Sequence, residues 1–166
     1  MKTKLSIYLL SSLALVFAMT PSNLEAQSQE TKKPIKYKKA RALQTSTAKK
    51  MAKVYEALEE VDESGEPAPD METVLTILTE LRNKKDELKS YERSVMWNVW
   101  AYVYFSDAKY AQAIDAYTNL INEPEVTIGL RVGALLSLAQ LNLVQENYEK
   151  GIELILQWMS EVEKVT

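Results

Sequence analysis

The chain has 166 residues, enough for one domain, and a formal net charge of −3. It contains neither histidine nor cysteine, which excludes the commonest general base, the commonest metal ligand, disulfides and thiol nucleophiles. With four glycines and no glycine-rich phosphate-binding sequence, the composition predicts no cofactor and no metal site, and it argues against an enzyme.

Residues 1–26 have the pattern of a secretory signal peptide. Two lysines precede an apolar run over residues 5–17, and cleavage is possible after Ala18 or after Ala26. We favour Ala26, because Pro21 and the polar residues that follow it are typical of the region before a cleavage site. An uncleaved membrane anchor is the alternative, although the apolar run is shorter than the ~20 residues that a spanning helix needs. The pattern therefore predicts export from the cytoplasm.

Residues 27–45 are polar and rich in lysine, with no periodic apolar face, so we predict a basic flexible arm. Such an arm could contact anionic lipid headgroups weakly or bind an acidic partner. It could also be a solvated linker, or fold back on the domain that follows. Nucleic acid is not an expected partner, because the signal predicts export and the rest of the chain has more acidic than basic side chains.

The first predicted helix begins at a cap formed by Ser46 or Thr47 and runs to about Asp62. Its apolar face comprises Met51, Val54, Tyr55, Leu58 and Val61. Residues 63–69 contain one glycine and two prolines, and they break the chain firmly.

Asp70 is a suitable cap for a second helix, which runs from Met71 to about Lys85. Its apolar face comprises Val74, Ile77, Leu78 and Leu81. Together the two helices make a first hairpin with an enlarged turn. Residues 82–90 then form a polar connection, which could continue as helix near Leu88.

Two amphipathic helices are predicted in the central stretch, residues 97–121, with a polar break at residues 106–109. The first helix carries Trp97, Trp100, Ala101 and Tyr104 on one face. The second carries Tyr110, Ala113, Ile114, Tyr117, Leu120 and Ile121 on one face. Small side chains at Ala101 and Ala113 allow the two helices to approach closely.

A third hairpin is predicted from near Thr127, and its first helix runs to about Val144. It repeats the central hairpin at an offset of 38 residues, as in the step from Tyr110 to Tyr148. Asn142 is polar where the central hairpin has an aromatic residue. Either its side chain faces a group that forms a hydrogen bond with it, or the first helix of this hairpin is rotated slightly relative to that of the central hairpin.

The last residues of the third hairpin, Trp158, Met159 and Val162, are apolar, and no capping helix follows them. A repeat array normally needs a polar outer cap. We expect either a dimer through this end, a partner that covers it, or a chain shorter than its relatives, and we favour the last.

The central stretch resembles the tetratricopeptide repeat (TPR), a 34-residue helix-turn-helix unit. The matching residues are Trp97, Trp100, Ala101, Tyr104, Tyr110, Ala113 and Tyr117, while Ala108 replaces the turn glycine and Pro124 falls one residue early. The resemblance implies an all-α protein, a TPR-like α-solenoid of about three helix-turn-helix pairs over residues 46–166. Such proteins bind an extended peptide or a partner helix in a groove lined by the first helix of each pair.

Carried over by position, the resemblance implies a partner-binding groove made of Asn98, Tyr102, Phe105, Leu136, Gln140 and Leu143. The Asn98 amide suits a ligand backbone, since it both donates and accepts hydrogen bonds. Helix packing explains Tyr102 and Phe105 equally well, and it explains Leu136 and Leu143 better.

A narrower resemblance rests on the succession Ala-Gln-Leu, Gln-Glu-Asn-Tyr and Gln-Trp-Met in residues 139–159. It is similar to exported TPR proteins encoded beside TonB energy-transducing systems in Gram-negative bacteria. This implies a non-enzymatic periplasmic scaffold that binds a component of a TonB-dependent envelope transport system. The alternative is a TPR assembly factor for outer-membrane proteins, pili or secretion machinery. An enzyme such as a cell-wall hydrolase is the third hypothesis, and the composition counts against it.

Overall fold

The computed structural model describes residues 41–163; the predicted signal peptide and residues 27–40 of the predicted arm lie outside this range. Six α-helices and one short 3-10 turn at Lys85–Glu87 make up the regular structure of the described residues, which confirms the all-α class. The helices are α1 (Thr45–Leu58), α2 (Met71–Asn83), α3 (Ser90–Ser106), α4 (Tyr110–Ile121), α5 (Ile128–Val144) and α6 (Tyr148–Glu163). None of these helices is both long and apolar enough to cross a membrane.

The six helices form three hairpins, in which α1 packs on α2, α3 on α4, and α5 on α6. Adjacent hairpins are joined because α2 contacts α3 and α4 contacts α5, and α3 also contacts α5. The buried apolar side chains consequently form one continuous core, which extends from Met51 in α1 to Leu154 in α6.

The first helix differs from its prediction at both ends. Gln44, rather than Ser46 or Thr47, occupies the cap position, and the Thr47 side chain is buried inside the helix, near Glu92. The helix ends at Leu58. Val61 therefore lies outside it, mostly exposed, in a backbone bridge to Pro67.

The second helix agrees with its prediction at the start and in its core face. The Asp70 carboxylate accepts the backbone N–H of Thr73 at 3.0 Å, as a capping residue should. The buried residues of α2 are Val74, Leu78 and Leu81, while Ile77 is half-buried. The helix ends at Asn83, two residues before its predicted end, and the chain continues into the 3-10 turn.

Helix α3 is buried around more of its circumference than the predicted face allows. Trp100 and Ala101 are buried as expected, and the buried set also includes Met96, Val99 and Val103. The reason is that α3 contacts α2, α4 and α5, so that apolar residues on several sides find partners. Arg82 of α2 reaches this helix too, with its guanidinium 4.5 Å from the centre of the Trp100 ring.

The turns of the second and third hairpins are the same motif, repeated at an offset of 38 residues. At the end of α3, Lys109 N–H bonds Tyr104 C=O at 2.8 Å and Ala108 N–H bonds Phe105 C=O at 3.0 Å. At the end of α5, Asn147 N–H bonds Asn142 C=O at 2.8 Å and Glu146 N–H bonds Leu143 C=O at 3.1 Å. This is the Schellman arrangement, in which the residue after the cap is left-handed.

That left-handed position is held by Ala108 (φ 54°) and by Glu146 (φ 61°), where glycine is usual. Ala108→Gly should raise the free energy of unfolding by about 1 kcal/mol, because glycine lacks the Cβ that clashes in this conformation. Ala111→Gly, on the exposed side of α4, is the control, and it should be destabilising by ~0.5–1 kcal/mol. Urea denaturation of both variants measures the change in the free energy of unfolding. A lower stability of Ala108→Gly than of wild type would contradict this prediction.

An ion pair recurs at the same offset. Arg93 in α3 makes a bidentate contact to Glu123, with Nε–Oε1 at 2.8 Å and Nη2–Oε2 at 2.9 Å. Arg131 in α5 pairs with Glu161 in α6, with Nε–Oε1 at 3.3 Å. Each arginine also donates to a backbone carbonyl, Leu88 for Arg93 and Ile121 for Arg131. Each arginine therefore links the first helix of its hairpin, α3 or α5, to the preceding segment of the chain. It also links that helix to the second helix of the hairpin or to the residues just after it.

Candidate functional site

The six residues predicted for a groove lie on two neighbouring helices at equivalent positions. Asn98, Tyr102 and Phe105 are in α3, and Leu136, Gln140 and Leu143 are in α5, each pair separated by 38 residues. Helices α3 and α5 contact each other. Tyr102 is exposed, and the other five are half-buried. All six therefore have some access to solvent, and they belong to one pair of adjacent helices.

Two of the six are involved in packing inside their own hairpins. The Phe105 ring lies 6.0 Å from the Tyr110 ring, across the turn between α3 and α4. Leu143 lies against Gly151 in α6, so closely that a Cβ on Gly151 would come within 2.6 Å of Leu143 Cδ2. These two positions close the turn end of each hairpin. The surface that remains for a ligand is centred on Asn98, Tyr102, Leu136 and Gln140.

Gln140 supplies an unusual polar group to this surface. Its Oε1 atom is buried, yet it accepts no hydrogen bond from any residue that the structure describes. An unsatisfied buried acceptor lowers the stability of the folded protein by about 1–3 kcal/mol, so a ligand donor that bonded this oxygen would gain binding free energy. Asn142, two residues further along α5, shows the contrast: its Nδ2 donates to Leu138 C=O of its own helix at 2.8 Å. The Asn142 amide is thus satisfied within α5.

A buried carboxylate joins the first helices of the first two hairpins. Glu92, in the first turn of α3, is 1% exposed, and it accepts the Lys89 N–H at 2.9 Å, the Gln44 N–H at 2.9 Å and the Gln44 side-chain amide at 2.8 Å. Burial alone would raise the pKa of Glu92, but these bonds and one from Thr47 outweigh it, so the pKa lies below its ordinary value. Glu92 therefore holds the start of α1 against the start of α3.

Sequence reasoning did not single out Glu92, Arg93 or Arg131. The two Arg–Glu ion pairs were detectable in the sequence, because Arg93 and Arg131 are separated by the 38-residue offset, and so are Glu123 and Glu161. Glu92 was not, since its contact to Gln44 joins residues 48 positions apart and has no counterpart in the third hairpin.

A shallow cleft of about 580 Å³ lies at the turn between α5 and α6, away from the predicted groove centre. Its walls are Asn142, Glu146, Asn147, Tyr148, Glu149, Lys150 and Glu153. Lys150 is held by both carboxylate oxygens of Glu153 at 2.9 Å. Within residues 41–163 no group of three acidic, histidine or cysteine side chains is arranged to hold a metal ion.

The exposed end of the predicted arm also contacts the helical domain. Arg41 Nη1 lies 2.5 Å from Glu125 Oε2, and Ser90 Oγ accepts the Glu125 N–H at 2.9 Å. Both charged side chains remain largely exposed, so the ion pair contributes little to stability.

The geometry thus defines an all-helical protein built from consecutive hairpins, two of which repeat in turn geometry and ion pairing. Comparison of the chain with models of protein families, with curated proteins and with solved structures finds no match.

Proposed function

We propose that the chain is a non-enzymatic, TPR-like scaffold that binds an extended segment of a protein partner across α3 and α5. The observation that carries the proposal is the placement of equivalent polar and apolar side chains on two adjacent first helices. Asn98 corresponds to Leu136, and Tyr102 corresponds to Gln140. A ligand that crosses both helices therefore meets Asn98 and Leu136 at one pair of equivalent positions, and Tyr102 and Gln140 at the next.

The chemistry of these groups favours a peptide backbone over a small molecule. The Gln140 side chain is half-buried, and once it turns toward the ligand its Oε1 atom accepts a backbone N–H, while the Asn98 amide offers both a donor and an acceptor. Tyr102 and Leu136 add apolar contact for a ligand side chain. A ligand that bonds Gln140 also removes the cost of an unsatisfied buried acceptor, which gives a preference for extended segments with free N–H groups.

The proposed location is the periplasm, and the proposed partner is a component of a TonB-dependent envelope transport system. The signal-like composition of residues 1–26 supports the location. The resemblance of residues 139–159 to exported TPR proteins encoded beside TonB systems supports the partner.

Photo-crosslinking in cells tests the proposal. A photoreactive amino acid at position 102 should give a discrete crosslinked product, and mass spectrometry should identify an envelope transport protein in it. The matched control places the same amino acid at position 118, an exposed site on α4. Identical products from both positions, or none from position 102, would refute the proposed surface, whereas a pilus or secretion protein in the product would refute the proposed partner.

A substitution separates binding from stability at the same surface. Tyr102→Ala should weaken binding of the crosslinked partner, while the thermal midpoint changes little because Tyr102 is exposed. Gln140→Leu should weaken binding as well, and it should leave the fold as stable or make it more stable, since it removes an unsatisfied buried acceptor. A large fall in the thermal midpoint of Tyr102→Ala would assign this side chain to the core.

A further inference from the structure

Helix α6 presents an apolar face to solvent. Tyr148, Ile152, Leu156 and Met159 follow one another at intervals of four, four and three residues, which places them on one side of the helix. Ile152 is 56% exposed, Leu156 is 62% exposed and Met159 is 48% exposed. Single exposed apolar residues are ordinary, but a contiguous row of this kind marks an interaction surface.

The molecule shows what covers this face in the preceding hairpin. Helix α4 is equivalent to α6 at the 38-residue offset, and Ile121 is the counterpart of Met159. Ile121 is only 9% exposed, because α4 is covered by α5. The Ile121 carbonyl accepts from Arg131, and Ser137 lies beside the Tyr117 hydroxyl, so α5 contacts the C-terminal half of α4. Tyr148, Ile152 and Met159 of α6 are exposed, whereas their counterparts in α4 are half-buried or buried, so this side of α6 is less covered than that of α4 in the described chain.

The α6 face is also more apolar than its counterpart. Leu156 stands where α4 has Thr118, an exposed polar residue. An ordinary solvated helix would keep a polar side chain at that position. The extra apolar residue widens the row instead, which fits a surface that another element covers.

The size of the face favours a single helix as its occupant. A face of 16 residues is ~24 Å long and ~10 Å wide. An amphipathic helix laid along the face matches its length and uses its whole apolar side.

Charge indicates what flanks the apolar side of that helix. Glu149 and Glu153 are exposed beside the apolar row, and Glu146 is exposed at the turn before it. Lys150 lies beside these glutamates, and its ammonium group is already paired with Glu153. We propose that the α6 face binds an amphipathic helix of another protein, with an apolar side like that of α5 and with lysine or arginine at its borders.

The proposal is independent of the surface on α3 and α5, and a peptide of known sequence tests it. The probe is a synthetic peptide with the sequence of residues 127–145, which contains α5, extended by lysines at both ends and labelled with a fluorophore. Fluorescence anisotropy with the full mature chain should show saturable binding at one peptide per chain. A scrambled peptide of the same composition should not bind.

Variants locate the binding site. Leu156→Glu should weaken binding about tenfold or more, because it puts a carboxylate into the exposed apolar row. Val61→Glu is the matched control: Val61 is 60% exposed and lies in the loop between α1 and α2, so binding should not change. Far-UV circular dichroism should show that both variants are folded, since both side chains are exposed.

Three results would overturn the proposal. The first is the absence of saturable binding, and the second is equal binding by the Leu156→Glu variant. The third is concentration-dependent self-association of the wild-type chain in sedimentation equilibrium that Leu156→Glu abolishes, since this would assign the face to a second copy. A crosslink from position 102 would be unaffected by any of these results.

Discussion

Replacing Glu92 with alanine should lower the free energy of unfolding by about 3 kcal/mol. The carboxylate is 1% exposed and accepts three hydrogen bonds from Gln44 and Lys89. Bonds to a charged group contribute ~1.5–3 kcal/mol each, but part of that is recovered when water reaches the exposed donors. Urea denaturation followed by circular dichroism measures the change, and Glu56→Ala on the exposed side of α1 serves as control.

The same carboxylate makes stability depend on pH. Its folded-state pKa is lowered, so between that value and the unfolded pKa of about 4.3 the unfolded chain binds a proton that the folded chain does not. The stabilisation is therefore complete above the unfolded pKa, and it is lost as the pH falls through the folded pKa. Glu92→Gln should remove this part of the pH dependence. Parallel stability curves for wild type and Glu92→Gln below pH ~5 would contradict the assignment.

Helix positions were largely predictable because apolar periodicity and local capping signals act over short distances. Asp70 is an example: a carboxylate three residues before a free N–H is visible in the sequence, and it caps α2 as predicted. The end of α1 was not predictable in this way. The apolar pattern continues to Val61, but the helix ends at Leu58, and in the loop that follows Asp62 accepts the N–H groups of Ser64 and Glu66.

Turns and contacts outside the helices were predictable only where the repeat encodes them. The turn at Ala108 was expected from its polar neighbours, and the equivalent turn at Glu146 follows from the 38-residue offset. The Glu92 junction breaks the repeat, since neither its partner Gln44 nor the buried Thr47 has a local signal. The candidate surface lies between these cases: position in the repeat selects Asn98 and Gln140, but only the structure shows that the Gln140 oxygen has no hydrogen-bond partner among residues 41–163.

Ala113→Leu should lower the free energy of unfolding by ~1–3 kcal/mol, because it forces extra volume into the contact between α3 and α4. Ala113 is fully buried, as is Ala101 on the facing helix. The third hairpin shows how close this crossing is. Gly151, the counterpart of Ala113, is so near Ala139, the counterpart of Ala101, that a Cβ on it would lie 3.3 Å from the Ala139 carbonyl oxygen.

Ala111→Leu, two residues earlier on the exposed side of α4, is the matched control for this overpacking. It adds the same atoms to the same helix, so its stability should stay within about 0.5 kcal/mol of wild type. A loss at position 113 alone would show that the small side chain is required by the helix crossing, not by helix propensity. Equal stability of the two variants in urea denaturation would instead mean that α3 and α4 can separate without cost. In that case the spacing of the first helices, on which the α3 and α5 surface depends, would not be set by these alanines.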